Sequence, residues 1–410
     1  MRLLLFFNQF HRDLKGQKLR TALTTFGIVW GTTSIVLLLA FSTGLKERQL
    51  QQQHGMGESI MILWAGTTSK PFEGTPKSRN IHFVEDDPEY LKSMIPEIAM
   101  ASPEYTNWSA TIKYRDKVFV GQVTAGNAEF GEMRNLIPEP GGRYIDQNDI
   151  DNKRRTAFIG YETWQELFGD EDALGKTIFI NFVPFTVVGV MIKKDQNSSY
   201  SGSDRRKTFI SYTTFTSIYN RKYLNNIVLK PVEPSHSKDV EKRVDEVLGR
   251  KYHYDPTDEE AIWVWDTSQN DEFFDELFMG MNVFLGIVGV FTLIVGAIGV
   301  SNIMNAVVEE RSKEFGIKMA LGAKASFILW QLVAETLLIT IIGGLIGLLF
   351  SGLIVRVFPM FNLEKYVGVP QISLEIAFVA TGLLGIIGFI SGFFPARRAS
   401  KLNPVEALRL

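Results

Sequence analysis

Four stretches of the chain are long, apolar and almost free of charge. Thr21 to Leu45, Leu277 to Val308 and Ile376 to Ala396 contain no charged residue, and between Lys324 and Arg356 the only charge is Glu335. A helix rising 1.5 Å per residue crosses a hydrocarbon core about 30 Å thick in about 20 residues. Each stretch therefore predicts a membrane-spanning helix, with spans at 21–45, 280–306, 327–352 and 373–395. Between the first two, over 46–275, the pattern changes to short elements. Ser59–Ala65 and Thr111–Thr124 read as strands, the latter with a turn near Arg115-Asp116. Thr156–Phe168 reads as a strand running into a helix, and Lys176–Ile192 as a hairpin around Asn181–Pro184. Lys238–Leu248 reads as an amphipathic helix with Val240, Val244, Val247 and Leu248 on one side. The polar stretches 66–80 and 194–207 read as mobile loops. The expected fold class is an α-helical membrane protein with four transmembrane helices and a large mixed α/β extracytoplasmic domain between helices 1 and 2.

Two segments join these parts. Lys46–Gln53 can continue the first span as helix beyond the bilayer. Asp266–Met281 leads into the second span with Phe273, Phe274, Leu277 and Phe278 at helical spacing. Together they predict a stalk.

Charge sets direction. Lys and Arg gather before the first span (Arg2, Arg12, Lys15, Lys18, Arg20), between the second and third (Arg311, Lys313, Lys318, Lys324) and after the fourth (Arg397, Arg398, Lys401, Arg409). The segment between the third and fourth has Arg356 and Lys365. Basic flanks stay in the cytoplasm, so both termini and the 309–326 loop read as cytoplasmic and the long 46–275 segment as lying outside. On this reading 1–20 is a cytoplasmic amphipathic N-terminal helix, 307–326 a cytoplasmic coupling loop, 353–372 a short extracytoplasmic loop and 396–410 a cytoplasmic tail. Charges inside the apolar stretch of residues 1–20 argue against a cleavable signal peptide.

Composition removes several chemistries. A net charge of −2 over 410 residues gives no basic field for nucleic acid. Without cysteine there is no disulfide, thiolate metal site or cysteine nucleophile. His11, His54, His82, His236 and His253 show no ligand spacing, so no metal or cofactor site is expected. Gly169–Thr177 resembles a phosphate-binding loop but has five residues between its glycines, three of them acidic (Asp170, Glu171, Asp172). It reads as a turn before a strand. Asp86-Asp87 and Asp258-Glu259-Glu260 read as solvated faces. No catalytic residue is expected.

Inside the spans, Gly27 and Gly31, Gly343 and Gly347, and Gly388 and Gly392 each lie four apart, a spacing that lets helix backbones approach. Glu335 costs roughly 2.5–3.5 kcal/mol at mid-span on insertion scales, so it is expected to face a partner helix or water. A shallow position reaching the headgroups is the alternative. Pairing with neighbouring helices or the coupling loop is favoured over a proton relay.

Asn302–Ala323 (NIMNAVVEERSKEFGIKMALGA), Gln331–Gly344 and the tail Gly392–Arg409 (GFFPARRASKLNPVEALR) resemble ABC-transporter permeases of the MacB, lipoprotein-release and FtsX superfamily. Arg20–Ser34 and Leu174–Val190 are similar to their MacB-type counterparts. The resemblance implies a multi-pass protein of the bacterial inner (cytoplasmic) membrane, with a periplasmic core domain, forming a homodimer or close heterodimer among the membrane lipids. It also implies ATP-driven motion transmitted through the stalk, for export or extraction of a drug, peptide or lipoprotein-like substrate. A periplasmic adaptor and an outer-membrane channel are further partners it allows, and an FtsX-like signal transmitter without transport is the alternative. MacB carries its ATPase on the same chain. Here no such motif occurs, so ATP and Mg are expected on a separate ABC ATPase subunit and no enzymatic activity on this chain. The resemblance makes Glu309, Glu310, Arg311, Glu314, Phe315, Gly316, Ile317 and Lys318 the ATPase-coupling interface. The charges Glu310, Arg311, Glu314 and Lys318 fall at i, i+3 and i+4 spacing on a helix expected to be exposed, with Phe315, Ile317 and Met319 as apolar anchors.

Overall fold

The computed structural model describes residues 18–196 and 199–401. The expected N-terminal helix up to residue 17 and the tail from residue 402 lie outside the described residues. The chain divides into two units, one formed by Met1–Arg48 with Asp275–Leu410 and the other by Gln49–Phe274.

Among the described residues four helices are long and apolar enough to cross a membrane. They are Lys18–His54, Thr267–Glu310, Ala325–Val357 and Leu374–Ala399. The first and second run well past the predicted spans, as the helical spacing of the stalk segments implies. The fourth starts at a cap, the Ser373 hydroxyl accepting from the Ile376 amide at 3.2 Å. In lipid, buried hydroxyls must find partners within the protein. Thr32, Thr336 and Thr340 donate to the carbonyl four residues back at 2.8–2.9 Å, and Thr33 reaches the Gly347 carbonyl at 3.3 Å.

All three glycine pairs sit where helices meet. A Cβ on Gly27 would lie 3.5 Å from Gly296 Cα of the second span, and one on Gly31 would lie 2.9 Å from Leu293. Gly343 and Gly347 face Ile28 and Thr32 of the first span, with hypothetical Cβ contacts of 3.0 and 2.8 Å. Gly388 and Gly392 face Thr340 and Thr336 of the third, at 2.8 and 2.7 Å. Ile28, Ile35, Leu293, Leu332 and Ala380 fill the space between.

Among its described residues the 49–274 unit holds nine strands: β1 (Met61–Ala65), β2 (Ile98–Tyr114), β3 (Lys117–Gly126), β4 (Thr156–Ile159), β5 (Thr177–Ile180), β6 (Val183–Val190), β7 (Lys207–Ser211), β8 (Asn226–Pro231) and β9 (Ile262–Asp266). Their order is β3-β7-β4-β6-β5-β2-β8-β1-β9, with β3 also paired to β2. The long β2 therefore belongs to two arrays. Its second half closes a ring with β3, β7, β4, β6 and β5, while its first half carries β8, β1 and β9. The change falls between Glu104, the last partner of β8, and Tyr105, the first of β3, and a register shift between Asn107 and Ala110 follows within the β3 pairing. Closing the ring leaves those strands no free edge. The helix Ser237–Tyr252 buries Val240, Val244 and Leu248, with Val247 half-buried.

Two expectations for this unit are corrected. The 66–80 segment is not a loose loop: Thr67 bridges Asn80, and Asp258 pins it. That carboxylate, 2% exposed, accepts from Ser69 Oγ at 2.6 Å and from the Ser69 and Lys70 amides at 2.7 and 3.0 Å. Asp87 is likewise buried, taking Lys251 Nζ at 2.6 Å and the Tyr252 hydroxyl at 2.5 Å. Asp86, Glu259 and Glu260 are exposed. Composition alone does not show which member of an acidic run the backbone folds inward.

The second polar stretch is tied by a buried charge cluster. Asp204, fully buried, accepts from Arg134 at 2.8 and 2.9 Å, and Lys194 and Lys207 each approach within 3.0 Å. The Tyr200 hydroxyl donates to the buried Glu104. The cations hold the Asp204 carboxyl well below the usual carboxylate range despite burial, which opposes ionisation. Its folded value lies below its unfolded one, so its contribution is present above about pH 4 and is lost as pH falls below that. Asp204→Asn leaves three buried cations without this carboxylate and is expected to cost about 3–5 kcal/mol, read as lost amide-exchange protection in β7 at pH 7.

Asp245 behaves in the opposite sense. Burial and the nearby Glu241 push it up to about 6, opposed by a 3.2 Å hydrogen bond from the Tyr254 hydroxyl. A raised carboxylate penalises the folded state as pH rises through its folded value. Asp245→Asn is thus expected to raise the melting temperature of the unit at pH 7.5 and to leave it unchanged near pH 4, measured by a thermal scan of the full chain at both pH values.

Candidate functional site

The segment joining the second and third spans is a short helix, Ser312–Ala320, separated from the second span by Arg311 and ended at Gly322, whose φ of +94° suits glycine. Its residues divide by face. Ser312, Phe315 and Gly316 are buried, Phe315 at 0% exposure among apolar side chains of the spans. Glu309, Glu310, Lys313, Glu314, Ile317, Ala320 and Leu321 are exposed, with Ile317 at 48% and Leu321 at 83%. Positions 310, 313, 314, 317 and 321 recur at helical spacing, so they form one outward stripe with acidic, basic and apolar members.

The expected coupling residues therefore do two jobs. Glu309, Glu310, Glu314 and Ile317 point outward. Phe315 and Gly316 anchor the helix to the spans and are not available to a partner, and Met319 is half-buried against the same core. Lys318 is half-buried, its ammonium 6.0 Å from the Phe315 ring. Arg311, expected on the exposed face, turns inward: its side chain is 11% exposed, with Nε 3.2 Å from Glu314 Oε2 and Nη1 3.2 Å from Glu335 Oε2. Glu335, 8% exposed, also accepts from Gln331 Nε2 at 3.0 Å. Lys313 and Leu321 were not among the expected interface residues. The signal that finds them is the helical stripe itself, read outward from Glu310 rather than from charged residues alone.

At its other end the first span is tied to its neighbours by polar contacts. Lys46 pairs with Asp275 at 2.8 Å, and Ser42 Oγ lies 2.5 Å from Asn282 Oδ1, linking first and second spans. At the far end of the first span Gln371 donates to Glu47 at 2.7 Å. In the other unit, Gln53 donates to Asp271 at 3.0 Å and His54 lies 3.3 Å from the same carboxylate. The ends of the two stalk helices are therefore cross-linked by side chains. Among the described residues no group of His, Asp and Glu is placed to hold a metal ion.

Comparison with known proteins assigns both parts. The MacB-like periplasmic core domain family matches residues 21–247, and the FtsX-like permease C-terminal family matches 286–404. The macrolide export ATP-binding/permease protein MacB of Neisseria gonorrhoeae is 32% identical over 393 residues, 95% of this chain and 58% of its own. The protein of that name from Vibrio parahaemolyticus is 29% identical over 396 residues, again 58% of its length. The chain thus spans less than two thirds of these relatives. Among solved structures, the periplasmic region of MacB from Actinobacillus actinomycetemcomitans aligns with a TM-score of 0.43 at 18% identity, covering 55% of this chain and 97% of that one. The core-domain match covers more than half of the chain, and the permease match follows it over the later spans. The chain belongs to the MacB/FtsX superfamily of ABC-transporter permeases.

Proposed function

We propose that the chain couples ATP hydrolysis by an ABC ATPase to motion of its MacB-like domain, for export or extraction of a drug, peptide or lipoprotein-like substrate. The observation that carries this reading is the outward stripe of Glu310, Lys313, Glu314, Ile317 and Leu321. A helix buried on one side and presenting a leucine 83% exposed on the other suits docking in a groove of a soluble partner. ATP and Mg belong to that ATPase, and these 410 residues add no hydrolytic chemistry of their own. The motor acts on the coupling helix, the second span carries the displacement along one continuous helix from Glu310 to Thr267, and the domain moves in response. Such a device acts as a dimer with a second copy or close homologue, both termini and the coupling loop lying in the cytoplasm. An adaptor and outer-membrane channel would complete an export path. The MacB-like core domain favours export over signal transmission.

Topology gives the first test. A reporter active only in cytoplasm is expected to work when inserted after Gly322. It is expected to be silent between Glu73 and Gly74, where a Cβ on Gly74 meets nothing within 4 Å. The reverse pattern would overturn the orientation.

Docking gives the second. Glu310→Lys with Glu314→Lys changes exposed charges, costing under about 1 kcal/mol of stability. The double variant is expected to insert normally yet bind the ATPase at least about tenfold more weakly, about 1.4 kcal/mol, read by co-purification and titration. Glu259→Lys with Glu260→Lys, also exposed, serves as the control and is expected to bind normally.

A further inference from the structure

Glu335 lies about 15 Å along the third span from its first residue, Ala325. Both carboxylate oxygens are engaged, one by Arg311 at 3.2 Å and the other by Gln331 at 3.0 Å. Arg311 occupies a particular place in the chain. The second span ends at Glu310 and the coupling helix begins at Ser312, so Arg311 is the single residue between them, with φ −99° and ψ 8°. The break is not slack. The Arg311 amide donates to the Val307 carbonyl at 3.0 Å, the Phe315 amide to the Arg311 carbonyl at 3.0 Å, and the Ser312 hydroxyl to the Val308 carbonyl at 2.7 Å. It is a bend in a nearly continuous hydrogen-bonded rod, and its side chain is tied to a different helix.

We propose that the Arg311–Glu335 pair is the fulcrum of coupling, with Glu335 a positioning residue that fixes the bend to the third span. This rests on the reading of the coupling helix as the ATPase contact. A push on the exposed stripe can be absorbed by local rotation at a one-residue bend, and then nothing reaches the second span. With the bend held to the third span, the same push becomes a tilt of the second span about a fixed point. The surroundings suit such a tie. A water-poor site strengthens attraction between opposite charges, and the Arg311 guanidinium lies 5.3 Å from the buried Phe315 ring.

The chain has no cysteine, so nitroxide labels on Ala320→Cys and Ile341→Cys, used with a cysteine-free ATPase, report the short helix against the third span. Both positions are exposed. The full chain in lipid nanodiscs with its ATPase is compared with Glu335→Gln, Arg311→Gln and the double variant. Glu335→Gln keeps the side-chain volume and the Gln331 contact. ATPase affinity is expected to change less than about threefold, while permease-dependent ATPase stimulation falls about tenfold and the label distance distribution broadens. The double variant is expected to be no worse than either single one, because the two residues act through one contact. Arg311→Lys, which keeps the charge, is expected to regain most of the stimulation lost in Arg311→Gln; lost packing alone does not predict that rescue. Additive losses in the double variant, or full stimulation with an unchanged distance distribution, overturn the fulcrum. The docking reading fails separately: it falls if reversal of Glu310 and Glu314 leaves ATPase binding intact, whereas intact stimulation in the Glu335 variant with binding lost on that reversal removes the fulcrum alone.

Discussion

The spans are held together by close fit, because lipid offers no hydrophobic reward for bringing apolar helices together. Dispersion contacts decay steeply with distance, so association depends on how near two backbones can come. Every glycine pair in the spans answers that requirement. The first span meets the second at Gly27, Gly31, Gly289 and Gly296, and the third at Gly343 and Gly347; the third meets the fourth at Gly388 and Gly392. The first span is therefore the hub, and the fourth meets the third through a separate pair of contacts. A side chain larger than hydrogen at these positions would meet a neighbour at or inside van der Waals contact, so the identity of the residue and the geometry of the bundle are the same fact.

The 49–274 unit obeys the other solvent. In water, apolar burial is rewarded directly, and the strands of both arrays bury a core that includes Tyr105, Phe185, Ile210 and Ile227. Polar groups taken inside need partners of opposite charge, which is why Asp204 gathers Arg134, Lys194 and Lys207. In the spans the equivalent problem is met by hydroxyls folding back onto their own helix. These are different solutions to one requirement, that no buried polar group be left without a partner.

This division explains what could be read from the sequence. The four spans, the hairpin at Arg115 and the helix carrying Val240, Val244 and Leu248 are local patterns, and periodicity states them directly. The resemblance placed the family on motifs that the comparisons match. What could not be read depends on contacts between residues far apart in the chain. Asp258 and Asp87 look like members of ordinary acidic runs until Ser69 and Lys251 are brought beside them. The closed ring needs the pairing of β3 with β7, which are separated by three other strands in sequence. Phe315 looks like an anchor for a partner but is buried, while Leu321 is exposed, because the register of one short helix decides which is covered. Glu335 stood out as a lone charge, and the sequence offered neighbouring helices or the coupling loop as its partner without saying which residue.

That partner explains how a carboxylate persists in the third span at all. An insertion cost of roughly 2.5–3.5 kcal/mol is offset by hydrogen bonds to a charged group, each contributing about 1.5–3 kcal/mol. The Arg311 bond supplies one, and Gln331 adds a second from the same helix one turn away. The local pair that helical spacing predicts, Arg311 with Glu314, is present too. Its Glu314 end lies in solvent and contributes little. One guanidinium thus holds a weak surface contact and a strong buried one, and only the buried one reaches a different helix. The short helix Ser312–Ala320 is therefore fixed to the third span by chemistry and to the second by covalent continuity, while its outward stripe stays exposed.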